Sequence, residues 1–138
     1  MLPPELDRAF RATTYRVRVA DRVVDVRVDR LHPELDALLR NRSWAVVTAW
    51  NPFSRDVGAQ VNASAQARLD RAIDAAGLER WPAVGVGDDG WSEESRLVVV
   101  ERARALALGR DFSQWAIVTG APGGEARLEA TGAVPGPV

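Results

Sequence analysis

The sequence predicts one α+β domain: a ferredoxin-like β-α-β-β-α-β sheet with its helices on one face, preceded by an N-terminal helix, a β-hairpin and a short helix. Three observations predict it. Apolar and charged residues alternate with period two in the first third of the chain. From Trp44 onward, strand-like and helix-like segments follow one another in the order β-α-β-β-α-β. A chain of 138 residues that is 46% hydrophobic and 27% charged has the core of one domain and no room for a second.

Taken in order, Pro4 to Ala12 sets Leu6, Ala9 and Phe10 at helical spacing, enough for a short helix that packs on another element. Tyr15-Arg16-Val17-Arg18-Val19 and Val24-Asp25-Val26-Arg27-Val28-Asp29 alternate on either side of a turn near Asp21, which reads as a hairpin with one wet face. His32-Pro33-Glu34 opens a helix with proline in its first turn, carrying Leu35, Leu38 and Leu39 until Asn41. Then come a strand Trp44 to Trp50, a helix from about Gly58 to Ala76 stopped by Gly77, and a strand Trp81 to Val86. After a polar turn follow a strand Ser95 to Glu101, a helix Arg102 to Arg110 and a strand Trp115 to Thr119, with Glu125 to Thr131 as a candidate edge strand. Residues 1–132 make the domain and 133–138 a flexible tail. Trp44 to Trp50 and Leu97 to Val100 are apolar on both faces, so both faces of the sheet are buried. Two helices cover one; the N-terminal segment or a homodimer contact covers the other.

Composition closes several routes. With 18 basic and 19 acidic side chains the net charge is -1, which supplies no field that would draw the protein to nucleic acid or an anionic membrane. Every basic residue is arginine, which excludes lysine Schiff-base and P-loop chemistry and points to a GC-rich bacterial genome. Zero cysteines exclude thiol catalysis and disulfides, and the single histidine, His32, cannot build a multi-histidine metal site. No basic-then-apolar leader is visible and no apolar run approaches the roughly 18 residues of a membrane span, so a cytoplasmic protein is expected.

Gly85-Val86-Gly87-Asp88-Asp89-Gly90 matches G-x-G-x-x-G, but Trp91-Ser92-Glu93-Glu94-Ser95 and a strand follow it. No helix N-terminus is there to meet a pyrophosphate, so the motif is a hairpin turn and no nucleotide cofactor is expected. Asp88, Asp89, Glu93 and Glu94 are a dense acidic patch without the spacing of a calcium loop, and they read as solvated charge rather than a metal site. Strand alternation lets only one of Glu93 and Glu94 face a given pocket. In the hairpin, Arg16, Arg18, Arg22, Arg27 and Arg30 interleave with Asp21, Asp25 and Asp29, a pattern of cross-strand ion pairs rather than of RNA binding.

The candidate site residues come from separate places. Asn51 precedes Pro52, so its backbone is expected to be extended; Arg55 in the same loop is a candidate anion contact. Asn62, Gln66, Leu69, Ile73 and Ala76 fall on one helical stripe, which puts the two amides on a core-facing surface where each needs hydrogen-bond partners from the protein or a ligand. Gln114 poses the same question just before the last strand. The expected topology gathers Asn51-Pro52, Asn62, Glu93-Glu94-Ser95 and Gln114 at one end of the sheet, and that asymmetry argues for a site.

Thr48-Ala49-Trp50-Asn51-Pro52-Phe53-Ser54 with Asn62, then Trp91-Ser92-Glu93-Glu94-Ser95 and Phe112-Ser113-Gln114-Trp115-Ala116, resemble a small bacterial family catalogued as domain of unknown function 3293, over about Tyr15 to Val118. The resemblance implies a bacterial single-domain protein, favours Asn51, Pro52, Ser54, Asn62, Glu94, Ser95 and Gln114 as site residues, and assigns no reaction. The expected function is a module that binds a small polar ligand or peptide in an Asn/Glu/Gln-lined pocket. The alternatives are an enzyme with Glu94 or Glu93 as general acid or base, and an oligomeric interaction protein with no small-molecule site.

Overall fold

The computed structural model describes residues 2–136; Met1 and residues 137 and 138, the last two of the expected tail, lie outside the described residues. The elements are α1 (Pro4–Ala12), β1 (Thr14–Val19), β2 (Arg22–Val26), α2 (Pro33–Leu38), β3 (Trp44–Val47), a 3-10 turn (Pro52–Ser54), α3 (Ala59–Ala75), β4 (Arg80–Val86), β5 (Ser92–Val99), α4 (Arg102–Asp111), β6 (Ala116–Gly120) and β7 (Arg127–Ala130). No helix among the described residues is long and apolar enough to cross a membrane.

The expected ferredoxin-like sheet is not what the chain builds. All the strands join one seven-stranded sheet in the order β2-β1-β4-β5-β3-β6-β7, with every neighbouring pair antiparallel. It curls into a half-barrel flanked by four helices. The physical reason lies at the edges. A sheet ending at β4 and β6 would leave two apolar strands with unpaired backbone groups. Instead β1 pairs with β4 from Thr14↔Val86 to Val17↔Ala83, and β7 pairs with β6 from Ala116↔Ala130 to Thr119↔Arg127. The N-terminal hairpin is therefore a continuation of the sheet rather than a layer preceding it.

Curling makes two cores. On the concave side Val17, Val26 and Leu97 meet Leu35 and Leu39 from α2 and its C-terminal end, all with no exposed surface. On the convex side Ala45, Val47 and Val98 pack against Leu69 and Ile73 of α3 and Ala105 of α4. This explains the apolar runs in β3 and β5: α3 and α4 cover one face, while α2 and the curled hairpin cover the other, so the chain hides both faces itself. Arg16 pairs with Asp25 across the hairpin at 3.0 Å, as charge alternation suggests. Arg27 does otherwise, donating to the Arg11 and Ala12 carbonyls at the end of α1, where free carbonyls favour a cation.

His32 sits at the start of α2, edge-on to Trp44, and its Nε2 accepts the Arg27 N–H at 3.1 Å. That bond requires neutral imidazole, and burial lowers the pKa below its ordinary 6.5, with Arg30 acting in the same direction and Asp36 against it. Because the folded value lies below the unfolded one, the unfolded chain takes up the proton first as the medium is acidified. His32 therefore contributes stability that is full above about pH 6.5 and is lost as pH falls through the folded value. Urea denaturation of His32→Gln, which can keep an acceptor near Nε2, is expected to show a flatter stability profile than wild type between about pH 7 and 5. Parallel profiles would show that His32 titrates as it does in the unfolded chain.

Candidate functional site

The expected strand Trp44 to Trp50 stops at Val47, and from there side chains replace the β-ladder. The Ala49 N–H donates to Gln66 Oε1 at 3.0 Å, the Trp50 N–H to Thr48 Oγ1 at 3.0 Å, and the Asn51 N–H to Asn62 Oδ1 at 2.8 Å. The Phe53, Ser54 and Arg55 N–H groups go to the carbonyls of Ser113, Asn51 and Pro52, and Gln114 Nε2 donates to the Trp50 carbonyl. Every backbone donor from 49 to 55 is thus satisfied, proline having none. That accounting identifies what Asn62 and Gln66 do on the buried stripe of α3: they hold the irregular backbone leaving β3. Gln66 Nε2 and Trp50 Nε1 are buried without a partner among the described residues.

The loop these bonds secure is tightly wound. Asn51, Phe53 and Ser54 all have positive φ, 46°, 53° and 59°. The extended backbone expected for Asn51 ahead of Pro52 is therefore wrong. Asparagine tolerates the left-handed region, and its backbone N–H and side-chain Oδ1 are both engaged by Asn62, the latter accepting from Asn62 Nδ2 at 2.9 Å. What remains free to act outward is Asn51 Nδ2, which donates to Glu93 Oε2 at 2.8 Å.

Glu93 stands there because of strand register. Tyr15 pairs with Gly85, and Gly85 with Glu93, so the three form one row across β1, β4 and β5. Directly paired residues share a face of the sheet. A Cβ on Gly85 would lie 3.4 Å from Tyr15 Cε1 and 3.5 Å from Thr13 Cγ2, so the absent side chain leaves room for the Tyr15 ring to lie close over the strand. A cavity of about 80 Å³ opens at this place, lined among others by Tyr15, Gly85, Trp91, Glu93, Ser95 and Gln114, with Asn51 and Ser54. Trp91, half exposed, donates its indole N–H to Glu93 Oε2 at 3.2 Å. Burial pushes the Tyr15 hydroxyl pKa up, and the Glu93 charge adds to this against Thr13 and Arg27; the phenol is neutral at physiological pH.

The candidates separate accordingly. Asn51, Ser54, Ser95 and Gln114 line the cavity together with Glu93. Asn62 and Gln66 stand behind the loop as supports, Pro52 begins the 3-10 turn, and Arg55 is exposed outside the cavity. Glu94 does not join the cluster. It points to the helix side, where its Oε1 accepts from Arg96 at 3.0 Å, and Arg96 also pairs with Asp70 of α3 at 2.7 Å. The expectation that β5 starts at Ser95 left open which of the two glutamates faces inward. Because β5 in fact starts at Ser92, the alternation that buries Leu97 in the concave core puts Ser95 and Glu93 on that face and Glu94 on the other. Tyr15, Gly85 and Trp91 were missed: Tyr15 reads as an ordinary strand residue and Gly85 as part of a turn motif. Among the described residues, no three His, Asp or Glu side chains are placed to hold a metal ion.

A family model described as "Protein of unknown function (DUF3293)" matches residues 47–117, just over half of the chain. The matched stretch holds Asn51, Asn62, Gly85, Glu93 and Gln114; Tyr15 lies outside it. No curated protein and no solved structure matches the chain.

Proposed function

The chain belongs to this family of proteins of unknown function, and from its own geometry we propose that it is a cytoplasmic binding module whose cavity at the mouth of the half-barrel receives one polar head group of a small ligand or peptide. The observation that carries this reading is the row Tyr15, Gly85, Glu93. A glycine stands in the register between a phenol and a carboxylate, and all three line the same cavity. The loop from Thr48 to Arg55 supports it, because a strained backbone held by so many directed bonds fixes the Asn51 amide against Glu93. A cavity of about 80 Å³ is below the few hundred Å³ usual for an entire drug-sized ligand, so it accommodates a functional group with the remainder outside.

Gly85→Ala provides the test. The backbone there is extended, and the new methyl meets Tyr15 Cε1 and Thr13 Cγ2 at ordinary contact distances of 3.4 and 3.5 Å, so the variant folds while the cavity fills. Thermal-shift screening with cationic, neutral and anionic metabolites is expected to yield ligands that stabilise wild type, with at least about tenfold weaker binding to Gly85→Ala. The empty variant should be as stable as wild type or more so, by roughly 0.5–1 kcal/mol. A panel with no hit, or hits indifferent to Gly85→Ala, would remove the cavity as the binding site.

A further inference from the structure

We infer that the head group this cavity takes is an organic ammonium, an inference that rests on the cavity being a binding site and goes on to specify its ligand. Among the described residues, Glu93 is the charged residue lining it and no arginine does so. With no lysine in the chain, none of its own side chains can supply an amine there. Two other partly buried carboxylates have a guanidinium: Asp70 has Arg96 at 2.7 Å and Glu129 has Arg102 at 2.5 Å. Glu93 has only neutral donors, the Asn51 amide and the Trp91 indole, and both go to Oε2. Its Oε1 takes none of the hydrogen bonds among the described residues. A partly buried carboxylate in this state has a negative charge without a counter-cation, and a ligand cation would gain a charge-assisted bond there.

The other walls suit the same guest. Phe10, Tyr15 and Trp91 all line the cavity, and aromatic faces attract ammonium groups through their quadrupoles. Tyr15 and Ser95 add hydroxyl oxygens that can accept the remaining ammonium protons, and the phenol stays neutral because burial opposes its ionisation. Val46 and Val118 give an apolar wall for the carbon next to the nitrogen. An anion would meet Glu93 with like charge. A neutral alcohol would gain the hydrogen bonds without the charge.

The experiment uses n-butylammonium, n-butanol and n-butyrate as probes of one chain length, titrated into the full ¹⁵N-labelled chain. The readout is the Trp91 indole N–H resonance, assigned with Trp91→Phe, because that N–H donates to Glu93 Oε2. Butylammonium is expected to shift it saturably, with butanol at least about tenfold weaker and butyrate silent. Glu93→Gln, whose Oε1 still accepts from Asn51 and Trp91, should fold normally and lose the preference for ammonium over alcohol. Trialanine amide and its N-acetyl form separate the two sources of this chemistry. Binding of the free form alone identifies a peptide N-terminus, binding of butylammonium alone a free amine, and both support the inference. Equal affinity for butanol, tighter binding of butyrate, or a Glu93→Gln protein that keeps the ammonium preference would overturn the ammonium class. Silence of every probe alongside a Gly85→Ala-sensitive metabolite would overturn that class and leave the binding site standing, whereas silence of every probe and every metabolite would remove both.

Discussion

Gly120→Ala is expected to destabilise the fold by about 3 kcal/mol or more, at the upper end of what overpacking a core costs. In the register of β3 and β6, Gly120 lies directly opposite Trp44. The indole lies across the glycine, so that a Cβ there would come within 2.2 Å of Trp44 Cε2 and 2.3 Å of Cζ2. The backbone at Gly120 is not in the left-handed region, so space alone makes glycine necessary. Trp44 cannot move aside cheaply: it is 3% exposed, belongs to the concave core and meets the His32 ring edge-on. Displacing it would disturb the packing of α2 against the sheet. Urea denaturation monitored by tryptophan fluorescence measures the loss, with Gly136→Ala, where nothing lies within 4 Å of the new methyl, as the unaffected control. A Gly120→Ala protein within about 0.5 kcal/mol of wild type would mean that the indole has a second place to go at little cost.

Local signals in the sequence located nearly every element of this structure. α1 runs from Pro4 to Ala12 as its spacing indicates, and α3 ends just before Gly77. Strand neighbours were a different matter. Alternation in Tyr15 to Val19 tells which residues share a face, but carries no information about which strand lies alongside. Hence the sequence sets the hairpin ahead of a ferredoxin-like sheet, whereas in the structure the hairpin joins that sheet at β4 and the whole is a seven-stranded half-barrel. The same limit governs the choice between Glu94 and Glu93. Period two is unforgiving, and with the strand begun three residues late, at Ser95 instead of Ser92, nothing fixed the inward glutamate.

The site was legible where burial of polar groups signalled it and illegible where an absence of atoms made it. Asn62 and Gln66 stood out because amides on an apolar stripe need partners, and both found backbone donors of the loop leaving β3. Gly85 gave no such signal. Its role depends on Tyr15, 70 positions earlier, and Glu93 being its neighbours in a row, and a glycine's value as empty space exists only once those neighbours are in place.

Asn62→Ala is expected to cost about 2–4 kcal/mol, from two buried hydrogen bonds lost at roughly 1–3 kcal/mol each with some relaxation. Asn62 is 3% exposed and Asn51 4%, and the two residues close a reciprocal pair. Truncation strands the Asn51 N–H in the interior and leaves Asn51 Oδ1 with only the Val57 N–H, 3.4 Å away. It also releases a residue held at φ 46° ahead of a proline, so the loop has reason to unwind. Against a typical domain stability of about 5–15 kcal/mol this is a large fraction, visible as a fall in Tm of roughly 10 °C. The result discriminates between roles. Had Asn62 been a ligand contact, its loss would leave the empty protein nearly as stable as before. Here both halves of its amide are occupied by Asn51, so stability falls first and binding suffers only through the displaced Asn51 and Glu93. Asn51→Gly removes the side-chain half of the pair, the bond from Asn62 Nδ2, because glycine accepts the same backbone angle and keeps the N–H that donates to Asn62 Oδ1. A double-mutant cycle of Asn51→Gly with Asn62→Ala should give a coupling of about 1 kcal/mol for that side-chain bond, while additive losses would show that the two side-chain amides act on the fold independently.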